Sequence, residues 1–385
     1  MVEELTSNQY LVTMNTKLKS LVEISRRYGS DPDYVIAGGG NTSYKDERHI
    51  WVKASGIALG TIDETGFVQL DRRKLKVIGE KQYSPDVQRR EAEVKEDLLA
   101  ARVDPEGGLR PSVETSLHDL IEYPFVVHTH PTLVNALMCS QQAEEMCREL
   151  FGEEAPFVEP AAGYSLFVRV RELLPAYREQ YGRDPKVIFL QNHGVFVGGE
   201  TTEEIRGTYD RIMETLQRNI HPGEIRFFPI GDDTEELRQE LSRHTGGKHV
   251  VVRHNTLHRH FYRSTEDFRG IAVPFTPDIL VYCGAEYIYS GRERLPEILG
   301  DVMQAFSAYR KKYDRDARVV LVKDYGLFAV AESEKTAVTV LDVFEDSMKI
   351  ALYANRFGGP RPLSQDTIRF ILGWEVESYR RKMFS

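Results

Sequence analysis

The feature that most constrains the fold of this 385-residue chain is a pattern that occurs twice. In residues 186–204 and again in 318–336, an apolar segment leads through a turn ending in glycine to a second apolar segment. Small polar residues then begin a long helical stretch in both copies, and Gly194 corresponds to Gly326. Strands mixed with helices predict a layered α/β/α fold. Although a shared strand–turn–strand–helix unit could arise by chance, the matching glycines favour an internal duplication with a second, degenerate α/β copy.

The domain boundary is predicted where prolines and glycines cluster, in residues 223–233. We therefore expect a first domain over residues 1–222 and a degenerate copy over residues 223–385. Helical spacing is seen at 9–28 and 86–101, from Ser112 or Thr115 to Ile121, and after Pro131 and Thr201. Strand patterns lie at 34–37, 50–53, 66–70, 125–128, 186–190 and 195–197.

Composition excludes several classes of protein. Hydrophobic residues make up 41% and charged residues 28%, as in a soluble globular protein. The net charge of −9 argues against a protein that binds nucleic acid or an anionic membrane through its overall charge. The three cysteines form no CxxC pair, which argues against disulfides and thiolate zinc. The acidic, polar N-terminus and the lack of an apolar run of ~20 residues predict a cytoplasmic location.

Three histidines form the candidate metal site. His128 and His130 stand two apart at the end of a predicted strand, so both imidazoles can point to one side. His193 occupies the matching place after another strand, just before Gly194. Although an HxH pair alone is often only structural, three imidazoles with an open fourth position make a catalytic zinc site. The second copy has Tyr325 in the place of His193, so we expect one zinc per chain.

Glu114 lies at the predicted start of the helix that precedes the histidine strand. The helix N-terminus favours a carboxylate there and suits an anion such as phosphate, although Glu114 could merely complement the dipole. His118, one turn later, is interpreted as a packed or surface histidine rather than a ligand. A second HxH pair, His258 and His260, has no third ligand and is expected to lie at the surface or to contact substrate.

Together these residues resemble the class II aldolase/adducin family over about residues 9–220. Five motifs occur in the order of that family: 39–43 (GGNTS), 54–56 (ASG), 111–114 (PSVE), 127–131 (VHTHP) and 192–195 (NHGV). Residues 274–278 and 325–328 resemble the aldolase portion of bifunctional rhamnulose-phosphate aldolase/alcohol dehydrogenase proteins. Their short-chain dehydrogenase portion has no counterpart in this sequence, so no NAD site is expected.

The resemblance implies a role for each matching residue. It implies zinc held by His128, His130 and His193, with Glu114 as the catalytic acid/base. The positions that match phosphate-binding residues of the family are Asn41, Ser55, Gly56 and Ser112. Fuculose-phosphate aldolases carry a second serine before the glutamate where this chain has Val113, which removes one hydroxyl donor. Tyr164 is the candidate for a second acid/base at the departing aldehyde oxygen.

The implied reaction is retro-aldol cleavage of a ketose 1-phosphate, rhamnulose 1-phosphate or a relative, to dihydroxyacetone phosphate and an aldehyde. Zinc would act as a Lewis acid on the ketose, while Glu114 exchanges a proton with the enediolate. Pentulose-phosphate 4-epimerase and sugar-acid decarboxylase or dehydratase activities are alternatives on the same site. A non-catalytic adducin-like scaffold is disfavoured because all three histidines are present. We expect a homo-oligomer in which the second domain replaces or modifies a contact between subunits.

Overall fold

Two β-sheets organise the chain. The structure, a computed structural model, describes residues 7–159 and 163–373, with side chains described from residue 14 onward. The chain divides into two compact units. Unit 1 comprises Met1–Pro131 and Cys147–Thr215, and unit 2 comprises Thr132–Met146 and Leu216–Ser385. The mixed α/β architecture predicted from the sequence is confirmed, and a second sheet-containing segment is present.

Unit 1 is built on a seven-stranded sheet with the order β3-β2-β1-β4-β7-β6-β5. The strands are β1 Asn41–Lys45, β2 His49–Lys53, β3 Phe67–Asp71, β4 Phe125–Thr129, β5 Phe157–Val158, β6 Val187–Leu190 and β7 Gly194–Gly199. The helices are α1 Ser7–Gly29, α2 Arg72–Glu80, α3 Val87–Ala100, α4 Thr115–Leu120, α7 Tyr164–Tyr181 and α8 Thr202–Asn219, the last four residues of which belong to unit 2. Two short 3-10 helices, Leu59–Thr61 and Glu64–Gly66, precede β3.

Most predicted elements of unit 1 are confirmed within a few residues, but the first strand is not. The apolar run 34–37 is predicted to be a strand, yet these residues lie in turns and irregular backbone, and Ala37 has a φ of 55°. The strand begins at Asn41 instead, after the glycine run. Its sequence NTSYK looks polar, but all five residues are buried between β2 and β4. Strand propensity failed here because the polar side chains find partners far away in the sequence.

Unit 2 contains a four-stranded sheet with the order β8-β11-β10-β9. The strands are β8 His249–Arg253, β9 Ile288–Ser290, β10 Val319–Val322 and β11 Gly326–Ala331. Its helices are α5 Thr132–Met138, α9 Asp232–His244, α10 Arg259–Tyr262, α11 Thr265–Arg269, α12 Pro277–Cys283, α13 Leu295–Tyr313, α14 Glu334–Ala354 and α15 Gln365–Gly373, while α6 Ala143–Phe151 begins in unit 2 and ends in unit 1. None of the described helices is apolar over a length that would span a membrane.

The sheet of unit 2 repeats the order of four of the seven strands of unit 1. The strands β8-β11-β10-β9 correspond in order to β4-β7-β6-β5. In each set the first two pairings are antiparallel and the last is parallel. The long helices α8 and α14 follow the matching strands β7 and β11. The repeat seen in the sequence is therefore a repeat of topology, and unit 2 contains a second α/β copy.

Side-chain contacts extend this correspondence at a constant separation of 132 residues. Arg178 pairs with Asp184 after α7, and Arg310 pairs with Asp316 after α13. The turns before β7 and β11 match as well, since Asn192 and Asp324 have φ values of 57° and 61°. Agreement in both helix ends and turns is difficult to obtain by chance in unrelated α/β segments. The two sets of strands therefore match in topology, in the ends of the preceding helices and in the turns.

Helix α5 follows the histidine strand in the sequence but packs in unit 2. All seven of its residues are buried, and Thr132 Oγ1 donates a hydrogen bond to Asp346 on α14. After α5, Cys139 O accepts a hydrogen bond from Arg361 N at 2.6 Å. The predicted boundary at residue 222 does not reflect this exchange, because nothing in the local sequence of α5 marks which sheet it joins. The core of unit 2 therefore includes a helix that begins two residues after His130.

We predict that a fragment ending near Pro229 will aggregate or be inactive, although it retains the three histidines and Glu114. Loss of α14 exposes the apolar side chains of α5, each worth about 1.5–3 kcal/mol when buried. Solubility, zinc content and turnover should be compared with those of the full chain. A soluble fragment that binds zinc and works at the full rate would show that the second half is dispensable.

Candidate metal centre

Pairing between β4 and β7 positions the three histidines of unit 1. Thr129 lies opposite Val195 in antiparallel register, so the end of β4 meets the beginning of β7. His193 occupies the turn just before β7. The strands approach so closely that a Cβ at Gly194 would lie 2.4 Å from Thr129 O and 2.8 Å from His130 Cδ2. Only glycine fits at this position, and the histidine side chains converge as a result.

The three Nε2 atoms face one another. His128 Nε2 lies 2.9 Å from His130 Nε2 and 3.3 Å from His193 Nε2. His128 Nδ1 lies 3.0 Å from Val195 O, so Nδ1 carries the hydrogen and Nε2 presents a lone pair. Its ring also stacks on Phe196, with centroids 4.1 Å apart. Backbone and ring contacts thus fix the tautomer and orientation of His128.

This arrangement fits a divalent cation. The fully buried His128 has a pKa well below its ordinary value because burial disfavours the charged ring, an effect to which His130 and His193 add while Glu114 opposes it. Neutral imidazoles whose lone pairs converge repel one another unless a cation lies between them. Across residues 7–159 and 163–373, this is the one group of three or more potential ligand residues close enough to hold a metal ion.

Glu114 faces the same centre from the N-cap of α4. Its Oε1 lies 3.5 Å from His128 Nε2 and 3.4 Å from His193 Nε2 and accepts no hydrogen bond. Its Oε2 accepts a hydrogen bond of 2.5 Å from the Asn41 amide. Burial alone would raise the pKa of Glu114, but the histidines and the Asn41 amide lower it below the ordinary value. The group is therefore a carboxylate at neutral pH, with one oxygen held and the other facing the histidines.

The four residues predicted to contact phosphate fall into two groups. Ser55 and Ser112 lie close in the fold, since Ser55 N donates to Arg110 O at 2.8 Å and Ala54 pairs with Pro111. Gly56 adopts a φ of 87° beside Ser55, while the Ser112 hydroxyl accepts from Glu114 N at 3.2 Å. Both polar atoms of the Asn41 amide are instead hydrogen-bonded, the nitrogen to Glu114 and the oxygen to His118.

The described contacts of Tyr164 are with the core of unit 1 and not with the three histidines. It is the first residue of α7 and belongs to the hydrophobic core of unit 1. Its ring packs against Tyr83 and Phe167, with centroids 4.9 and 5.4 Å away, and its backbone N–H donates to Glu91. Its role at a departing aldehyde oxygen stays a prediction. No motif or spacing in the sequence distinguishes Tyr164 from the other 18 tyrosines as an acid/base.

His118 is the residue that the sequence interpretation undervalued. It is fully buried, and both ring nitrogens contact polar side chains of β1, Nδ1 with Ser43 and Nε2 with Asn41. Of the two expected positions, packed or at the surface, the packed one is confirmed. Two spacings could have predicted these contacts. Glu114 and His118 are four residues apart at the start of a helix, and Asn41 and Ser43 are two apart on a strand, so each pair lies on one face.

The second copy keeps the frame of this site but not its ligands. Arg253 lies opposite Leu327 as Thr129 lies opposite Val195, so His254 takes the place of His130. By the same register, His128 corresponds to Val252 and His193 to Tyr325. The hydroxyl of Tyr262 lies 3.0 Å from His254 Nε2. One histidine of three thus remains, and it already has a hydrogen-bonding partner.

The second HxH pair does not act as a unit. His258 is fully buried and its Nε2 lies 3.0 Å from Glu345 Oε1, whereas His260 is exposed on α10. The expectation of a surface position is therefore right for His260 and wrong for His258. The pair lies in a turn and a helix rather than along a strand, so its two rings do not share a direction.

Comparison with known proteins places the chain in a family. The Class II Aldolase and Adducin N-terminal domain matches residues 19–220, more than half of the 385 residues. The chain therefore belongs to the class II aldolase and adducin family, as the five sequence motifs predicted. The matched range includes the three histidines, Glu114 and the whole seven-stranded sheet.

Individual relatives cover parts of the chain. A Bacillus subtilis protein named uncharacterized oxidoreductase YuxG is 26% identical over 255 residues, or 60% of this chain. The matched part is 35% of YuxG, so the chain spans about a third of that curated relative. The N-terminal class II aldolase domain of a Thermoplasma acidophilum protein is 25% identical and covers 57% of this chain and 96% of its own, with a TM-score of 0.45. An L-fuculose-1-phosphate aldolase from Thermus thermophilus is 15% identical, with coverages of 53% and 93% and a TM-score of 0.35.

We predict that His128→Ala and His193→Ala will each lose most of the bound metal. Each change removes one of three converging nitrogens, and two imidazoles alone hold zinc weakly. Metal content per chain, measured by mass spectrometry after gel filtration, tests this. His260→Ala is the matched control because it removes an exposed histidine, and it should keep full metal content. Full retention in either site variant would rule out this centre.

Proposed function

We propose that this chain is a zinc-dependent class II aldolase that cleaves a ketose 1-phosphate to dihydroxyacetone phosphate and an aldehyde. The substrate class is rhamnulose 1-phosphate or a related sugar phosphate. The observation that carries the proposal is the convergence of His128, His130 and His193 on one point, with Glu114 Oε1 facing the same point. Membership of the family supports the reaction class.

Zinc fits the three imidazoles, and when bound there it would supply a Lewis acid for the substrate carbonyl oxygen. The protein supplies the proton chemistry. Glu114 is ionised and its Oε1 has no hydrogen-bond partner, so it is ready to accept a proton from the carbon next to the carbonyl. In the cleavage direction the hydroxyl beside the bond that breaks loses a proton, and Glu114, once protonated, delivers a proton to the carbon next to the carbonyl, so no proton is gained or lost overall. The Asn41 contact with Oε2 orients the carboxylate for both transfers.

For the phosphate we propose the turn at Ser55 and Gly56 together with Ser112. Ser55 and Gly56 are only half-buried, and the backbone joins this turn to residues 110–112. Small residues that carry hydroxyl groups let an anion approach the backbone. Asn41 supports the carboxylate in this arrangement rather than the phosphate. Tyr164, at the start of α7, stays the candidate for the group that exchanges a proton with the aldehyde oxygen.

We predict that Glu114→Gln will keep the zinc and the fold but lower kcat by about 10²–10⁴-fold, the range for general acid–base catalysis. Glutamine retains the shape and the contact with Asn41 but cannot exchange the proton. Metal analysis and steady-state kinetics are measured on the same preparation. Glu203→Gln is the control, since Glu203 is an exposed carboxylate in the first turn of α8. Unchanged turnover in Glu114→Gln would contradict the assignment, and loss of zinc would make Glu114 a ligand.

The reaction itself is tested by incubating the zinc-loaded protein with a panel of ketose phosphates and sugar acids and identifying the products. An aldolase releases two fragments, one of them dihydroxyacetone phosphate. A 4-epimerase returns a single isomer of unchanged mass, and a decarboxylase releases carbon dioxide. Two fragments from a ketose 1-phosphate would support the proposal. A protein with stoichiometric zinc that yields only an epimer or a decarboxylated product would replace it.

A further inference from the structure

One strand of unit 1 holds a single histidine at three points. Asn41, Ser43 and Lys45 alternate along β1, so their side chains lie on the same face of the sheet. Asn41 Oδ1 contacts His118 Nε2, and Ser43 Oγ lies 2.8 Å from His118 Nδ1. Lys45 Nζ donates to the backbone oxygen of His118 at 2.5 Å. The strand therefore fixes both the ring of His118 and the backbone that carries it.

The directions of these hydrogen bonds follow from one another. The Asn41 amide nitrogen donates to Glu114 Oε2, so the amide oxygen faces His118 and must accept from it. His118 Nε2 therefore carries the hydrogen, and Nδ1 accepts from the hydroxyl of Ser43. The result is an ordered series of donors that runs from Ser43 through His118 and Asn41 to the carboxylate of Glu114.

The surroundings keep this series in one state. His118 has no solvent exposure, and the edge of its ring meets the ring of Phe196 with centroids 5.3 Å apart. Burial lowers the pKa of His118 to about 3, with Glu114 opposing and Lys45 adding to the effect. The imidazole is therefore neutral at neutral pH. A neutral ring can donate from one nitrogen only, so the order of donors cannot reverse without a change of tautomer.

We propose that His118 is a positioning residue for Glu114 and acts through Asn41. Ser43 sets the tautomer, His118 holds the Asn41 amide in one orientation, and Asn41 holds Oε2 of Glu114. This leaves Oε1 facing His128 and His193 without a hydrogen bond of its own. The catalytic value of this orientation rests on the proposed function, in which Oε1 exchanges the proton.

Packing alone does not require this arrangement. A histidine that only fills space could be replaced by leucine with a loss of stability and no effect on the chemistry. Without a donor at this position, however, the Asn41 amide can rotate by half a turn and present its oxygen to the carboxylate. Two acceptors in contact repel, and Glu114 would lose its fixed orientation.

The test compares three variants of the zinc-loaded full chain with one control. His118→Leu removes the donor, Ser43→Ala removes the group that sets the tautomer, and His118→Gln restores a donor close to the position of Nε2. Ser116→Ala is the matched control, because its buried hydroxyl on the same helix has no hydrogen-bond partner. We expect His118→Leu to keep its zinc and to lower kcat by about 10–100-fold, with little change in KM. This is the range seen when residues that orient the groups at a metal site are replaced.

His118→Gln should recover most of that loss, and Ser116→Ala should match the unchanged protein. A His118→Leu protein with full zinc and kcat within about twofold of normal would overturn the proposal. If His118→Leu does not fold, Ser43→Ala decides by the same criterion, since it removes only a hydroxyl. An equal loss in His118→Gln and His118→Leu would indicate a packing role and also overturn it.

Neutron diffraction from crystals of perdeuterated, zinc-loaded protein provides a readout that needs no substrate. We expect deuterium on His118 Nε2, none on Nδ1, and the Ser43 hydroxyl directed at Nδ1. Deuterium on Nδ1, or on both nitrogens, would overturn the proposed order of donors. If the protein cleaves no ketose phosphate, the proposed function fails, while this measurement still decides whether His118 orients Asn41 and Glu114.

Discussion

The register of three adjacent strands is the constraint on which the rest of the site depends. Asn41 lies opposite His128 between β1 and β4, and Thr129 lies opposite Val195 between β4 and β7. Side chains alternate along a strand, so a slip of one residue in either pairing would turn half of the site to the other face of the sheet. The contact of Gly194 with the Thr129 carbonyl holds this register, because a larger residue would force the strands apart.

The second copy shows which of these features belong to the fold and which to chemistry. A Cβ at Gly326 would lie 2.3 Å from Arg253 O and 2.9 Å from His254 Cβ, nearly the same conflict as at Gly194. The glycine is thus required by the approach of the strands, with or without a metal. The histidines are not required by it, since Val252 and Tyr325 occupy two of the three positions. Retention of the glycine in a turn is therefore evidence for the fold, whereas the three histidines are evidence for a function.

The sequence predicted the parts of the structure that are encoded locally. The pair at His128 and His130, the turn at His193 and the repeated strand–turn–strand–helix unit all follow from spacing within short segments. Strand β1 was missed because its polar residues are buried against His118 and Glu114, which come more than 70 residues later. The assignment of α5 to unit 2 was missed for the same reason, because its burial depends on α14, far along the chain.

The proposal that three imidazoles share one zinc ion is tested most directly by the X-ray absorption spectrum of the purified protein at the zinc edge. It predicts one zinc per chain with three imidazole nitrogens at about 2.0–2.1 Å and a light-atom ligand in the remaining position. Sulfur scattering near 2.3 Å, fewer than three imidazoles, or a folded protein that cannot be loaded with zinc would contradict it.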